Sequence, residues 1–213
     1  MPDVPQPPRI YVLAGTNGAG KSSVAGAMFE QAGSSYFNPD EAARRIMAAH
    51  HGLSLDQANS EAWHQGKLLL ERAIAERLDF VFETTLGANT IPALLQKAIE
   101  SDIEVRIWYV GLNSPELHIT RVRARVARGG HDIPETKIRE RYDSSRLNLV
   151  RLLPGLTELL VYDNSREGDP HAGITPAPQL ILHLERVRVM RVCELALVPE
   201  WAKPILAAAL RRT

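Results

Sequence analysis

The run Gly15-Thr16-Asn17-Gly18-Ala19-Gly20-Lys21-Ser22 constrains this chain more than any other stretch of it. It follows a short apolar segment, Ile10 to Ala14, that reads as a buried strand, and Lys21 to Ala32 then reads as a helix. A strand, a glycine loop ending in Gly-Lys-Ser and a helix together form the P-loop pattern. The glycines let backbone N–H groups turn inward around phosphate oxygens, where a Cβ would collide or forbid the dihedral. The helix start adds the positive end of its dipole. Lys21 is expected to reach the β- and γ-phosphates of a nucleoside triphosphate, ATP by first choice, and the Ser22 hydroxyl to bind Mg²⁺. Gly15, Thr16, Asn17, Gly18, Ala19, Gly20 and Ser23 complete the expected cradle.

Beyond the loop, strand and helix signals alternate. Tyr36-Phe37 is a brief apolar step read as a second short strand. Asn38-Pro39-Asp40-Glu41 opens a helix to about His50, with Asn38 as cap, Pro39 in the first turn and Glu41 completing a capping box. Helix is expected from Leu55 to Leu78, strand from Phe80 to Glu83, helix from Asn89 to Glu100 and strand from Glu104 to Leu112. Ser114-Pro115 starts a helix that Gly129-Gly130 ends, another runs from Pro134 to about Leu153, and Leu159 to Tyr162 is a strand. After a loop from Arg166 to Pro178, the alternation from Gln179 to Val192 suggests one or two edge strands, and a last helix ends at Leu210. Such a succession predicts a three-layer α/β P-loop fold around a mostly parallel sheet, like that of nucleotide kinases.

At 213 residues and 45% apolar content, the chain is expected to form one domain over residues 9–213 after a disordered, proline-rich leader at 1–8. Residues 114–146 are expected to form a helical lid and 166–213 a C-terminal extension. The 25 basic and 25 acidic residues cancel, which disfavours nucleic acid and acidic membrane surfaces as partners and leaves a small molecule as the expected one. A lone Cys193 excludes an internal disulfide and fits a reducing, cytoplasmic compartment. The histidines show no metal-binding spacing and read as structural or surface residues, while Trp63 and Trp108 read as core.

Two carboxylates fall where an acceptor would lie in the architecture of mononucleotide kinases, beyond the carboxyl ends of the central strands. Asp40 follows the second short strand and is the candidate base for an acceptor hydroxyl; in the first turn of a helix it would also suit the dipole without any function. Glu83 closes an apolar strand, where a carboxylate needs a partner or an ion, and is a candidate for binding substrate or a magnesium-bound water. Arg121, Arg125 and Arg128 fall at i, i+4 and i+7, and Arg139, Tyr142 and Arg146, at i, i+3 and i+7, form a similar stripe on the next helix. Such arginines suit a lid that stabilises charge on a moving phosphoryl group; a solvated basic face is the plainer reading.

Taken together, the glycine loop, Asn38-Pro39-Asp40-Glu41, Phe82-Glu83-Thr84-Thr85 and the arginine-rich helices resemble the zeta toxin group of P-loop kinases, roughly from Arg9 to Ser165. The resemblance implies a fold similar to nucleotide-monophosphate kinases and phosphorylation of UDP-N-acetylglucosamine on its 3′-hydroxyl, with a small antitoxin protein blocking the ATP site. It places Lys21 and Ser22 on ATP and magnesium, Asp40 as base, Glu83 and Thr85 near the acceptor, and arginines near Arg121 to Arg128 on the phosphates. The sequence departs from many relatives at Thr84, where they carry glycine, and at Leu86-Gly87, which lack the basic residue that often follows. An ATPase without a small acceptor and a polynucleotide-end kinase are the alternatives, the latter disfavoured by the balanced charge.

Overall fold

The computed structural model describes residues 6–32, 36–166, 176–186 and 188–211. Among the described residues, six strands form one sheet in the order β2-β1-β3-β4-β5-β6. The parallel part comprises β1 (Arg9–Ala14), β2 (Phe80–Thr84), β3 (Glu104–Gly111) and β4 (Glu158–Asp163). Two antiparallel strands, β5 (Gln179–Glu185) and β6 (Arg188–Val192), extend one edge, so the sheet is mixed. The helices are α1 (Ser22–Ala32), α2 (Pro39–Ala49), α3 (Leu55–Glu76), α4 (Thr90–Glu100), α5 (Pro115–Val126), α6 (Glu135–Leu152) and α7 (Lys203–Leu210).

Apolar side chains cover both faces of the sheet. On one, Ile10, Val12, Ile107, Leu159 and Leu182 pack with Leu70, Leu95, Leu149 and Ile205 of the surrounding helices. On the other, Tyr11, Leu13, Val81, Trp108 and Val110 meet Val24, Ala25 and Met28 of α1. Burial on both faces is what near-continuous apolar strands require.

The second short strand expected at Tyr36-Phe37 is reduced to a single bridge, Phe37 against Phe82. Two backbone bonds make it, from Phe37 N to Val81 O at 2.8 Å and from Glu83 N to Phe37 O at 3.0 Å. Pro39 cannot donate to a ladder and already begins α2, so the pairing stops there. Asn38 caps α2 by accepting from the N–H groups of Asp40 and Glu41, while the Glu41 carboxylate pairs with Arg45 a turn later. The full capping box belongs to α3, where Ser54 and Gln57 make both halves. Trp63, expected in the core, is 40% exposed. Met1 to Pro5 of the expected leader, and residues 167–175 of the expected loop, lie outside the described residues.

Candidate functional site

Strand register brings the loop and the first carboxylate together. In the β1–β2 ladder Leu13 lies opposite Glu83 and Ala14 opposite Thr84, so the loop leaves β1 beside the end of β2. Gly15 has φ 142°, and a Cβ there would stand 2.2 Å from the Val110 carbonyl oxygen; Gly18 and Gly20 also have positive φ. Any other residue at Gly15 would therefore strain the backbone and push β3 away. Lys21, 8% exposed, donates to the Gly15 carbonyl at 2.8 Å and stands 3.3 Å from Glu83 Oε1. The Lys21 ammonium thus stays within the loop, its charge balanced by the carboxylate that an apolar strand could not otherwise hold. Glu83 also accepts from the Tyr36 hydroxyl at 3.4 Å, and burial followed by the Glu83 charge pushes the Tyr36 phenol up to about 12.

The rest of the loop is tied to its surroundings from three sides. Asn164, just past β4, donates to the Ala19 carbonyl at 2.9 Å. Thr16 donates its hydroxyl to the Arg141 carbonyl of α6 at 3.2 Å. His118 of α5 approaches the Asn17 carbonyl at 2.8 Å through Nδ1, which therefore carries the proton. Burial chiefly lowers the His118 pKa to about 4, so the ring is neutral at pH 7. Ser22 is exposed in the first turn of α1, and Ser23 turns its hydroxyl onto the Gly20 carbonyl at 2.6 Å.

A cleft of about 590 Å³ opens beside the loop, lined by Asn17, Gly18, Lys21, Asp40, Glu83 and Thr85 among others. That volume lies within the roughly 300–1,000 Å³ usual for small-ligand sites. Asp40 reaches it because the Phe37 bridge sets the start of α2 against β2. The Thr85 backbone is fixed from behind: its carbonyl accepts from Ser145 at 2.6 Å, and Ser145 lies 3.0 Å from the Tyr109 hydroxyl.

The expected arginine stripe does not converge. Arg125 alone of the three lines the cleft, 3.4 Å from Asp40 and donating to the His131 carbonyl at 2.8 Å. Arg121 points to the Arg166 carbonyl at 3.5 Å. Arg128 lies beyond the end of α5, because the helix stops at Val126, and it donates back to the Ala124 carbonyl at 3.1 Å. The Gly129-Gly130 turn is closed by bonds to the Val126 and Arg125 carbonyls, with Gly129 at φ 85°.

Sequence reasoning passed over Arg141, which also lines the cleft and donates to Asn17 Oδ1 at 2.8 Å. Among the described residues no carboxylate comes within ion-pairing distance of it, and desolvation lowers its pKa from the ordinary value. The signal was available in helix spacing, since Ile138, Ser145 and Asn148 are buried and Arg141 falls on the same stripe. Trp63, His131 and Asn59 complete the far wall; His131 Nε2 and Asn59 Nδ2 are 3.2 Å apart. Buried Arg125 Nε and His131 Nδ1 have no partner among the described residues.

A glycine loop leaving an inner strand of a largely parallel sheet, with a lysine at the helix start and carboxylates on the neighbouring rim, defines a P-loop, kinase-like protein. The zeta toxin family model matches residues 2–167, and the chain belongs to that family. An uncharacterised protein of Haemophilus influenzae is 31% identical over 133 residues, covering 60% of this chain and 88% of that protein. The fold is shared with AvrRxo1-ORF1:-ORF2 solved with ATP, at 16% identity and TM-score 0.66, covering 95% of this chain and 63% of that one. The present chain therefore spans less than two thirds of that relative. It is also shared with a structure from the PezAT toxin-antitoxin system of Streptococcus pneumoniae, at 14% identity and TM-score 0.58, covering 97% and 86% of the two chains. Among the described residues no helix is long and apolar enough to cross a membrane.

Proposed function

We propose that this protein is an ATP-dependent phosphotransferase acting on a hydroxyl of a small molecule, a UDP-amino sugar being the first acceptor to test. The observation that carries the reading is Lys21, held almost buried between the Gly15 carbonyl and Glu83 in a cleft shared with Asp40 and Arg141. A bare ATP site needs the loop, the lysine and an acid for the metal, which Glu83 could serve, but has less use for Asp40 and for Arg141, which among the described residues has no carboxylate partner, on the facing side of the cleft.

In this reading the loop N–H groups and Lys21 hold the triphosphate. The oxygen donors at this rim, Ser22 first, suit a hard cation such as Mg²⁺, which when bound spreads the charge of the β- and γ-phosphates. Asp40 accepts the proton of the acceptor hydroxyl as its oxygen bonds to the γ-phosphorus. The bond from that phosphorus to the β-bridging oxygen breaks, ADP departs, and Asp40 releases its proton to solvent. Arg141 supplies positive charge beside the moving phosphoryl group, where preorganised donors act most strongly. Arg125, already beside Asp40, orients the carboxylate. A small antitoxin-like protein covering the cleft is the natural regulator, given the family and its toxin-antitoxin neighbour. The lone cysteine suits a cytoplasmic setting.

The test is transfer from labelled ATP to a panel of UDP-sugars and small hydroxylated metabolites, with ATP affinity measured in parallel. Asp40→Asn keeps the size and the cap by Asn38 but removes the basic oxygen, so it should bind ATP and lose transfer by about 10²-fold or more. Transfer that survives in Asp40→Asn removes Asp40 from the mechanism. Wild-type ATP hydrolysis with no transfer to any acceptor favours the ATPase reading.

A further inference from the structure

Asn17 lies in the glycine loop, whose backbone turns inward, yet its side chain makes a separate bond of its own. Its Oδ1 accepts from Arg141 Nη1 of α6 at 2.8 Å, while its carbonyl accepts from His118 of α5 at 2.8 Å. Thr16, the preceding residue, donates to the Arg141 carbonyl at 3.2 Å. One loop residue is therefore bonded to both helices of the expected lid, and Arg141 is attached to the loop by its side chain and its backbone. Packing closes the arrangement from behind, where a Cβ on Gly87 would stand 2.6 Å from Arg141 Cγ.

The choice of an amide is physically telling. A guanidinium that must act on a phosphate has to be held in place without having its charge cancelled. A carboxylate at Asn17 would hold Arg141 more strongly, but it would neutralise it and set a negative charge inside the phosphate cradle. The amide oxygen orients one N–H of the fork and leaves the remaining donors and the whole charge available. The nearest acids compete little: Asp40 pairs with Arg125, and exposed Glu140 pairs with Lys137.

We infer that Asn17 is a positioning residue, acting through Arg141 to aim its guanidinium at the phosphoryl group in flight. The inference rests on the kinase reading above and adds that the loop itself sets the geometry of the helix opposite. Its consequence is that the loss of Asn17 and the loss of Arg141 are the same loss.

The experiment needs no acceptor. Calorimetry measures the affinity of the full chain for ADP with Mg²⁺, in the presence and absence of aluminium fluoride, which mimics the transferred phosphoryl group beside ADP. The readout is the ratio of the two affinities, so a change in ADP binding alone cancels. Arg141→Ala and Asn17→Ala should each lower that ratio by roughly tenfold or more, the expected size for one charge-assisted hydrogen bond. The double variant should fall no further than either single one. Asn17→Asp should also lose the gain, although it retains an oxygen acceptor at the same place.

Absence of ADP binding by the wild type overturns the phosphate-loop reading and this inference with it. A gain that persists in Arg141→Ala removes Arg141 from the phosphoryl site. If Arg141→Ala loses the gain while Asn17→Ala keeps it, or if the two losses multiply, Asn17 does not act through Arg141 and only this inference falls. ADP binding by each variant certifies that its loop is folded.

Discussion

The two sides of the cleft are built differently. On the loop side, position is fixed by the backbone: Gly15 sits where a Cβ would meet Val110, and Lys21 is held between a carbonyl and Glu83. On the facing side, position rests on long cations reaching inward, some of them far from saturated. Arg125 meets Asp40 at 3.4 Å with both side chains more than a third exposed. A screened pair of that kind contributes only about 0.2–1 kcal/mol. The loop side is therefore rigid and specified residue by residue, whereas the facing side can be reoriented by whatever binds.

Substituting Lys21 is expected to have the largest effect. Lys21→Ala removes the cation and leaves Glu83, in a largely buried setting, with the Tyr36 hydroxyl but without its lysine. Losing a charged contact costs roughly 1.5–3 kcal/mol in binding and more in the transition state, so turnover should fall by about 10²-fold or more. Turnover and calorimetric ATP affinity are the measurements. Unchanged values for both would mean that the loop side does not hold phosphate.

His118 gives the next effect, on stability rather than turnover, and shows how firmly the loop side is anchored. The ring is 1% exposed, its pKa is lowered to about 4 from 6.5, and it donates to Asn17 as a neutral group. Between those values the unfolded chain binds a proton that the native ring refuses. The stability contribution is therefore complete above about pH 6.5 and declines as pH falls towards about 4, by on the order of 3 kcal/mol. In His118→Asn, whose amide can donate to the same carbonyl, this part of the acid sensitivity should vanish. Denaturant melts of both proteins at pH 7 and pH 4.5 measure the difference; equal acid losses would show that His118 does not titrate as a buried group.

The same contrast explains what could be read from the sequence. The loop was legible because glycine spacing reports backbone geometry directly, and Glu83 because a carboxylate in an apolar strand demands a partner. The sheet followed from the alternation of strands and helices, apart from Tyr36-Phe37, where Pro39 ends the pairing after one bridge. Identity and spacing said less about the long side chains. The i, i+4, i+7 spacing of Arg121, Arg125 and Arg128 assumed a helix that continued past Val126, and the chain turns there instead. Arg141 was hidden because the polar residues around it drew attention to Arg139, Tyr142 and Arg146, while the buried stripe through Ile138, Ser145 and Asn148 carried the informative register. Trp63 looked like core because of its chemistry. Its place beside Ser60 and Lys67 rather than with buried Ala58 and Ala62 sets it on the cleft wall.

Arg128 carries the smallest expected effect and the sharpest comparison. It shares its residue type and its neighbourhood in sequence with Arg125, and both follow the same apolar stripe. Arg128 donates to its own helix end, at the Ala124 carbonyl, where a cation also complements the helix dipole. Arg128→Ala should therefore change turnover by less than about twofold and cost at most about 1 kcal/mol of stability, a cap-like contribution rather than a catalytic one. Arg141→Ala, measured in the same assay, should lower turnover by roughly tenfold or more, because its guanidinium has no carboxylate partner among the described residues and bonds to the loop. If Arg128→Ala proves as damaging as Arg141→Ala, the turn at Gly129-Gly130 must reposition Arg128 when the cleft is filled. The facing side would then be assembled by ligand to a greater degree than the bonds in this structure imply.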